Sequence, residues 1–156
     1  MRAAGLASTL GKGLVAGFAG TAAMTVSSTL EQHLRKRQAS SAPADATAKV
    51  LGIAEFADDK AKERFSFLSH WGYGTGWGVV RAAFGSVLPP RAATAAHLAA
   101  IWGNEQVMLP ALDVAPPITM WGGKEIAIDA WHHVVYATAT GVAYGLLDRG
   151  AGAPRS

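Results

Sequence analysis

Residues 13–30 read GLVAGFAGTAAMTVSSTL, and these 18 residues without a charged side chain decide the fold. At a rise of 1.5 Å per residue, a helix of this length covers about 27 Å, close to the hydrocarbon thickness of a bilayer. A soluble amphipathic helix needs a polar face, and this stretch offers only Thr and Ser for one. The stretch therefore predicts a membrane-spanning helix, which we place over residues 6–35.

Three further uncharged runs follow, at residues 65–80, 92–104 and 130–147. They predict helices over residues 65–88, 91–109 and 124–149, and the second of these is the weakest span because a glutamate interrupts its run. A Pro-Pro pair ends the first of them. The sequence thus predicts an all-α protein, a four-helix integral membrane bundle that forms a single domain over residues 1–149, with a loose tail at residues 150–156.

Most charged side chains lie in the segment that connects the first two spans. Of the 25 charged residues, 13 fall within residues 31–64. The charged connecting segment, residues 35–64, predicts a short helix that starts at Ser41 or Pro43 and lies at the membrane interface or in solvent. The apolar side chains of this helix would form one face at the interface or over the end of the bundle: Val50, Leu51, Ile53 and Phe56. The mixed-sign charge run at the end of the segment is typical of a solvated helix or a linker.

The composition excludes several classes of protein. The chain has no Cys, which excludes disulfides, thiolate zinc sites and iron–sulfur clusters. The net charge of +3 is small and is not clustered on one helix, so nucleic acid is not an expected partner. There is no phosphate-binding glycine loop after a strand and no serine nucleophile motif. The sequence favours a non-enzymatic membrane protein, with a structural or homo-oligomeric role or as a small permeation unit, and the lipid bilayer as its partner.

Two alternatives to this interpretation stay open. A soluble Ala-rich helical bundle would agree with the modest mean hydropathy of +0.18. A secretory signal peptide would use Arg2 as its charged start, residues 14–20 as its apolar region and residues 21–23 as its cleavage site. The uncharged run continues to Leu30, which is longer than a signal peptide needs, and this favours a retained helix.

Small residues recur along the first predicted helix at a spacing of four. The pairs are Gly13 with Gly17 and Ala16 with Gly20. In lipid, such a spacing lets the backbone of a neighbouring helix approach closely. The second helix contains four alternating glycines, Gly72, Gly74, Gly76 and Gly78, and it also needs tight neighbours to stay helical in a bilayer.

A nine-residue pattern, H-x-x-Y-x-T-x-x-G, occurs twice in the chain. The matched pairs are His70 with His133, Tyr73 with Tyr136, Thr75 with Thr138 and Gly78 with Gly141. The helix before each pattern carries a Glu-Gln dipeptide, at Glu31 and Glu105. The chain then divides into a 2+2 internal repeat. Antiparallel spans would place both glutamates and both histidines at the same end of the bundle.

That end is the candidate site. Two carboxylates and two imidazoles, from Glu31, His70, Glu105 and His133, suit a divalent metal such as Zn²⁺, Mn²⁺ or Fe²⁺. Asp129 and His132 are further ligands or orienting residues. The alternative is a structural Glu–His network without a metal, at the level of an aromatic belt made of Trp71, Trp102 and Trp131. A bis-His haem site is disfavoured because haem-attachment Cys residues are missing and His97 lies in the weakest span.

Three motifs carry a resemblance to known proteins: GLVAGFAGT at residues 13–21, Arg37-x-Ala-Ser-Ser, and His133-x-x-Tyr with the later Gly141-x-x-Tyr-Gly. With them the chain resembles a group of small bacterial membrane proteins and, more distantly, the YagU-type inner-membrane family, over residues 5–149. The resemblance implies four spanning helices and a location in the bacterial inner membrane. It implies no reaction for any residue. The high Ala and Gly content suits an actinobacterial source.

Overall fold

The computed structural model describes residues 3–152 and shows an all-helical protein, with no strand among these residues. The five α-helices are α1 (Ala3–Arg35), α2 (Ala42–Leu51), α3 (Asp59–Gly85), α4 (Pro90–Ala111) and α5 (Gly123–Gly152), and a short 3-10 helix covers Ile118–Met120. The prediction of an all-α chain is confirmed. The predicted loose tail lies partly in the last turn of α5, and its residues 153–156 fall outside the described range.

Local signals in the sequence set most of the helix ends. α2 follows Ser41 and ends at Gly52, whose φ of 69° is the left-handed conformation that glycine adopts readily. α3 begins after Asp58, whose carboxylate accepts the amide hydrogen of Ala61 at 2.7 Å. The charge run that was expected to form a linker or a solvated helix is therefore the first two turns of α3. Pro90 provides the first residue of α4, where its missing amide hydrogen costs nothing.

The long helices α1, α3, α4 and α5 run alternately up and down. Along α1 and α5, Lys12 Nζ lies 2.9 Å from Asp148 Oδ1, and Ser27 Oγ lies 2.9 Å from His132 Nδ1. α3 also runs antiparallel to α1, and α4 runs antiparallel to both α3 and α5. The C-terminal half of α1 therefore lies level with the N-terminal halves of α3 and α5. We call this end of the bundle the acidic end, because ten carboxylates lie there: Glu31, Asp45, Glu55, Asp58, Asp59, Glu63, Glu105, Asp113, Glu125 and Asp129.

Glycines bring α1 and α3 together without side chains between them. A Cβ atom built on Gly13 would lie 2.7 Å from the carbonyl oxygen of Gly78, and one built on Gly17 would lie 2.9 Å from the Gly78 Cα. A side chain at Gly13 or Gly17 therefore has no room, because the atoms that it would meet belong to the backbone of α3. The close approach predicted at Gly13 and Gly17 is confirmed, and its partner is α3. Gly20 meets α5 instead, against Tyr136 and Thr140.

The interior of the bundle is small and contains many polar groups. Its two apolar clusters are Ala16 with Ala82 and Tyr144, and Ile101 with Tyr136 and Ala137. Seven polar or charged residues are also buried: Thr21, Ser69, Arg81, His97, His132, His133 and Thr140. Large apolar side chains, by contrast, point outward along α1, α3 and α5. The interior thus contains eleven buried apolar residues beside the seven polar ones, while many large apolar side chains stay outside it.

The short helix α2 packs on the bundle through alanines, which corrects the predicted apolar face. Ala44, Ala46 and Ala48 are buried, whereas Val50 and Leu51 are exposed. Ile53 and Phe56, also predicted for this face, lie beyond the end of α2 and are half-buried, and the Phe56 ring packs 5.1 Å from that of Phe65. Of the helices described, α1 over Gly5–Arg35 is the one with the length and hydropathy needed to cross a membrane.

Candidate metal centre

Glu105 of α4 and His133 of α5 meet at the acidic end of the bundle. The distance from His133 Nε2 to Glu105 Oε2 is 2.8 Å. Asp129, one turn before His133 on α5, supplies a carboxylate on the same side. Ligand atoms of these three residues lie within 4.8 Å of one another, and we call them the Glu–Asp–His cluster. Carboxylate oxygen and imidazole nitrogen are ligands that suit Zn²⁺, Mn²⁺ or Fe²⁺.

The hydrogen bonds of His133 fix which ring nitrogen carries a proton. Its Nδ1 lies 2.9 Å from the backbone carbonyl oxygen of Asp129. A carbonyl oxygen only accepts, so Nδ1 must donate. In the neutral ring, Nε2 then presents a lone pair to the Glu105 carboxylate. Two acceptors cannot face each other at 2.8 Å unless a proton or a metal ion lies with them.

Glu105 Oε2 is not satisfied by this contact alone. It is buried and has no well-directed hydrogen bond among residues 3–152, although His133 Nε2 lies within ion-pair distance. The short distance suits either a protonated His133 in an ion pair with Glu105 or two ligand atoms that share a cation. The cluster can therefore accept a cation, and donation from Nδ1 to a carbonyl is the support that metal-bound histidines usually have.

Trp102 holds the third member of the cluster in place. Its indole Nε1 donates to Asp129 Oδ2 at 2.8 Å, and the other oxygen, Oδ1, lies 3.7 Å from His133 Nδ1. Trp102 is thus a hydrogen-bond donor on α4, one turn before Glu105, and the aromatic belt predicted from Trp71, Trp102 and Trp131 stays a prediction. Trp131 is largely exposed, and Trp71 stacks on Phe18 with ring centroids 4.9 Å apart.

Glu31 lies outside the cluster, in an ion-pair network at the end of α1. Its carboxylate accepts from Arg35 Nη1 at 3.0 Å and from Arg37 Nε at 2.9 Å. Arg35 also pairs with Glu125 at 2.7 Å, so that it bridges the two carboxylates. A carboxylate so engaged by arginines has little capacity left for a metal.

The other two histidines of the predicted site, His70 and His132, bond to α1. His132 Nδ1 lies 2.9 Å from Ser27 Oγ, and its Nε2 lies 3.9 Å from Glu31 Oε2. His70 Nε2 lies 2.9 Å from Thr25 Oγ1, whose hydrogen is donated to the carbonyl of Thr21. His70 therefore donates to Thr25 and is no ligand of the cluster. The predicted set of Glu31, His70, Glu105 and His133 is corrected to three separate groups that share one end of the bundle.

The repeat places its residues at matching heights but in different surroundings. Tyr136 is 1% exposed and donates to the carbonyl of Gly74 at 2.6 Å, whereas Tyr73 is 37% exposed and accepts from Asn104. His133 faces α4 and His70 faces α1. The repeated pattern thus identified the end of the bundle at which the Glu–Asp–His cluster lies. It did not identify the direction of His70, which faces α1 because α3 packs closely on that helix.

Comparisons with known proteins identify no relative of this chain. No protein-family model, no curated protein and no solved structure matches the chain. The resemblance to the YagU-type family stays a prediction, and the function has to be inferred from the residues themselves.

Proposed function

We propose that this protein is an integral membrane protein of a bacterial inner membrane, that α1, α3, α4 and α5 cross the bilayer, and that the Glu–Asp–His cluster binds a divalent metal ion at one end. The observation that carries membrane insertion is the set of large apolar side chains exposed along the long helices, around an interior that contains polar groups. The observation that carries metal binding is the convergence of three ligand atoms within 4.8 Å.

The outer surface of the long helices favours a lipid environment. Large apolar side chains that are more than half exposed lie along their outer faces: Val15, Phe18, Val26, Leu30, Phe67, Leu68, Val107, Val142 and Leu146. A soluble monomer rarely exposes contiguous apolar surface on this scale. Acyl chains would cover these side chains without any cost of hydration.

The interior supports the same proposal. Thr21 Oγ1 donates to the carbonyl of Gly17, and Thr140 Oγ1 donates to the carbonyl of Tyr136, each at 2.8 Å. Hydroxyl groups that bond to their own helix, and small residues at the contacts between helices, are typical of membrane bundles. A soluble bundle would place leucines and isoleucines at these positions.

A structural role without a metal is the second candidate function. It is favoured by the ion pair that already joins α1 to α5 at the acidic end, between Arg35 and Glu125 at 2.7 Å. In that case the proton shared by His133 and Glu105 would replace the metal ion. Measuring the metal content of the protein separates the two candidates.

Changing His133 to Ala should remove most of the bound metal. We expect detergent-purified protein, grown with Zn²⁺, Mn²⁺ or Fe²⁺, to carry one of these ions in a stoichiometric amount, as measured by elemental mass spectrometry. The variant loses one of three protein ligands and should retain little of the ion. Trp102→Phe should weaken binding by about 10- to 100-fold, since it removes the support of a ligand but not a ligand.

The matched control is His33→Ala, because His33 is an exposed histidine on α1 that is not part of the Glu–Asp–His cluster. This variant should keep the metal. A wild-type protein without metal, or a His133→Ala variant that keeps it, would contradict metal binding. Loss of thermal stability in His133→Ala without metal in either protein would favour the structural role.

A further inference from the structure

Arg81 is a buried cation at the end of the bundle opposite the acidic end. It lies on α3, one turn before Gly85, and is 2% exposed. Its Nε and Nη1 are buried without a hydrogen-bond partner among residues 3–152. One face of the guanidinium is covered by Tyr144 of α5, with Cζ 5.0 Å from the ring centroid. An aromatic ring stabilises a cation but leaves its N–H donors unsatisfied.

The guanidinium points toward the end of α3. A Cβ atom built on Gly85 would lie 2.8 Å from Arg81 Nη1, so the absence of a side chain at Gly85 provides the room for it. Tyr144 lies one turn before Asp148, which pairs with Lys12 at 2.9 Å. The guanidinium group of Arg81 is thus directed toward the end of the bundle where the charged residues Lys12 and Asp148 lie.

Charges at this end leave Arg81 without a partner of opposite sign. The described cations are Lys12, Arg81, Arg91 and Arg149, and Asp148 is the one carboxylate that the structure describes there. Lys12 already occupies that carboxylate. A buried guanidinium without a counter-charge is strongly unfavourable, so an anion from outside the described chain would stabilise it.

We propose that Arg81 binds the phosphate of an anionic lipid headgroup in the leaflet at this end. A guanidinium presents paired N–H donors that match two phosphate oxygens, which an ammonium group cannot do. Arginines near the end of a spanning helix extend toward the headgroups, and Arg81 Nη1 lies beside Gly85, the last residue of α3, which has no side chain to cover it. The inference rests on the proposed membrane insertion and does not involve the metal centre.

The test measures the melting temperature of the detergent-solubilised, full-length protein during titration with phosphatidylglycerol. The wild type should be stabilised progressively. Arg81→Gln should need about tenfold more lipid for the same rise in melting temperature, or show no rise. Its amide lacks the positive charge and the paired N–H donors of a guanidinium group. Without anionic lipid, Arg81→Gln should be at least as stable as the wild type, since it removes an unpaired buried charge. Arg81→Lys keeps the charge and should fall between the two.

The matched control is Arg91→Gln, which removes an exposed arginine at the same end and should leave the lipid response unchanged. An Arg81→Gln variant that responds to lipid as the wild type does would overturn the proposal. Inorganic phosphate serves as a second titrant. If inorganic phosphate stabilises the wild type as well as the lipid does, Arg81 binds a free anion, and the proposal that the phosphate belongs to a lipid headgroup is wrong. A protein found outside the membrane that responds to phosphate alone would refute membrane insertion separately from anion binding at Arg81.

Discussion

Gly17→Leu should destabilise the bundle more than any change at an exposed glycine. A side chain at this position would enter the backbone of α3, where the Cα and N atoms of Gly78 lie 2.9 Å from the built Cβ. Backbone cannot move aside as a flexible side chain can, so α1 and α3 would have to separate. Overpacking typically costs about 1–3 kcal/mol and occasionally more, and a clash with backbone belongs to the upper part of this range. Thermal unfolding in detergent, followed by circular dichroism, measures the loss.

Gly11→Leu is the matched control, since it makes the same change on the same helix. Gly11 is exposed, and a Cβ atom there meets nothing within 4 Å. We expect its melting temperature to equal or exceed that of the wild type, because leucine forms helix more readily than glycine. Equal losses in both variants would show that α1 does not pack on α3 at Gly17.

Tyr136→Ala should produce the second large loss. Tyr136 is a fully buried aromatic side chain; it packs with Ile101 and Ala137, and its hydroxyl donates to the carbonyl of Gly74 in α3. Removing a buried aromatic ring typically costs about 3–5 kcal/mol, since the cavity closes only in part. Tyr136→Phe keeps the ring and should lose only about 1 kcal/mol with the hydrogen bond. Denaturation in the same detergent compares the two variants.

The repeat provides the control for this prediction. Tyr73 occupies the equivalent position in the first half but is partly exposed. Tyr73→Ala should therefore cost clearly less than Tyr136→Ala. If the two variants were equally unstable, the two halves of the bundle would have similar interiors, and the asymmetry described for α3 and α5 would be refuted.

The all-helical fold could be predicted from the sequence because each long helix carries its own signals. The uncharged runs gave the approximate extents of the helices, and prolines and Asp58 mark their ends. Spacings of four residues identified the faces that pack closely. In α3, Gly74 and Gly78 face α1, whereas Gly72 and Gly76 face outward, as the 3.6-residue period of a helix requires.

The candidate site could be predicted only in part. Helix direction brought Glu105 and His133 to one end, and the helical spacing of Asp129 to His133 placed that carboxylate beside them. The rotation of each helix about its axis could not be predicted, because the uncharged runs have no charged face that would define their outer side. For that reason His70 was grouped with the site although it bonds to Thr25, and Arg81 was not recognised as buried.

Fractionation of cells that produce the full-length chain tests the central claim most directly. The membrane pellet is washed with alkaline carbonate, which releases peripheral proteins, and a known integral and a known peripheral protein are followed beside it. If α1, α3, α4 and α5 cross the bilayer, the chain should stay in the pellet with the integral marker and enter solution only with detergent. Recovery of the chain in the supernatant with the peripheral marker would contradict membrane insertion.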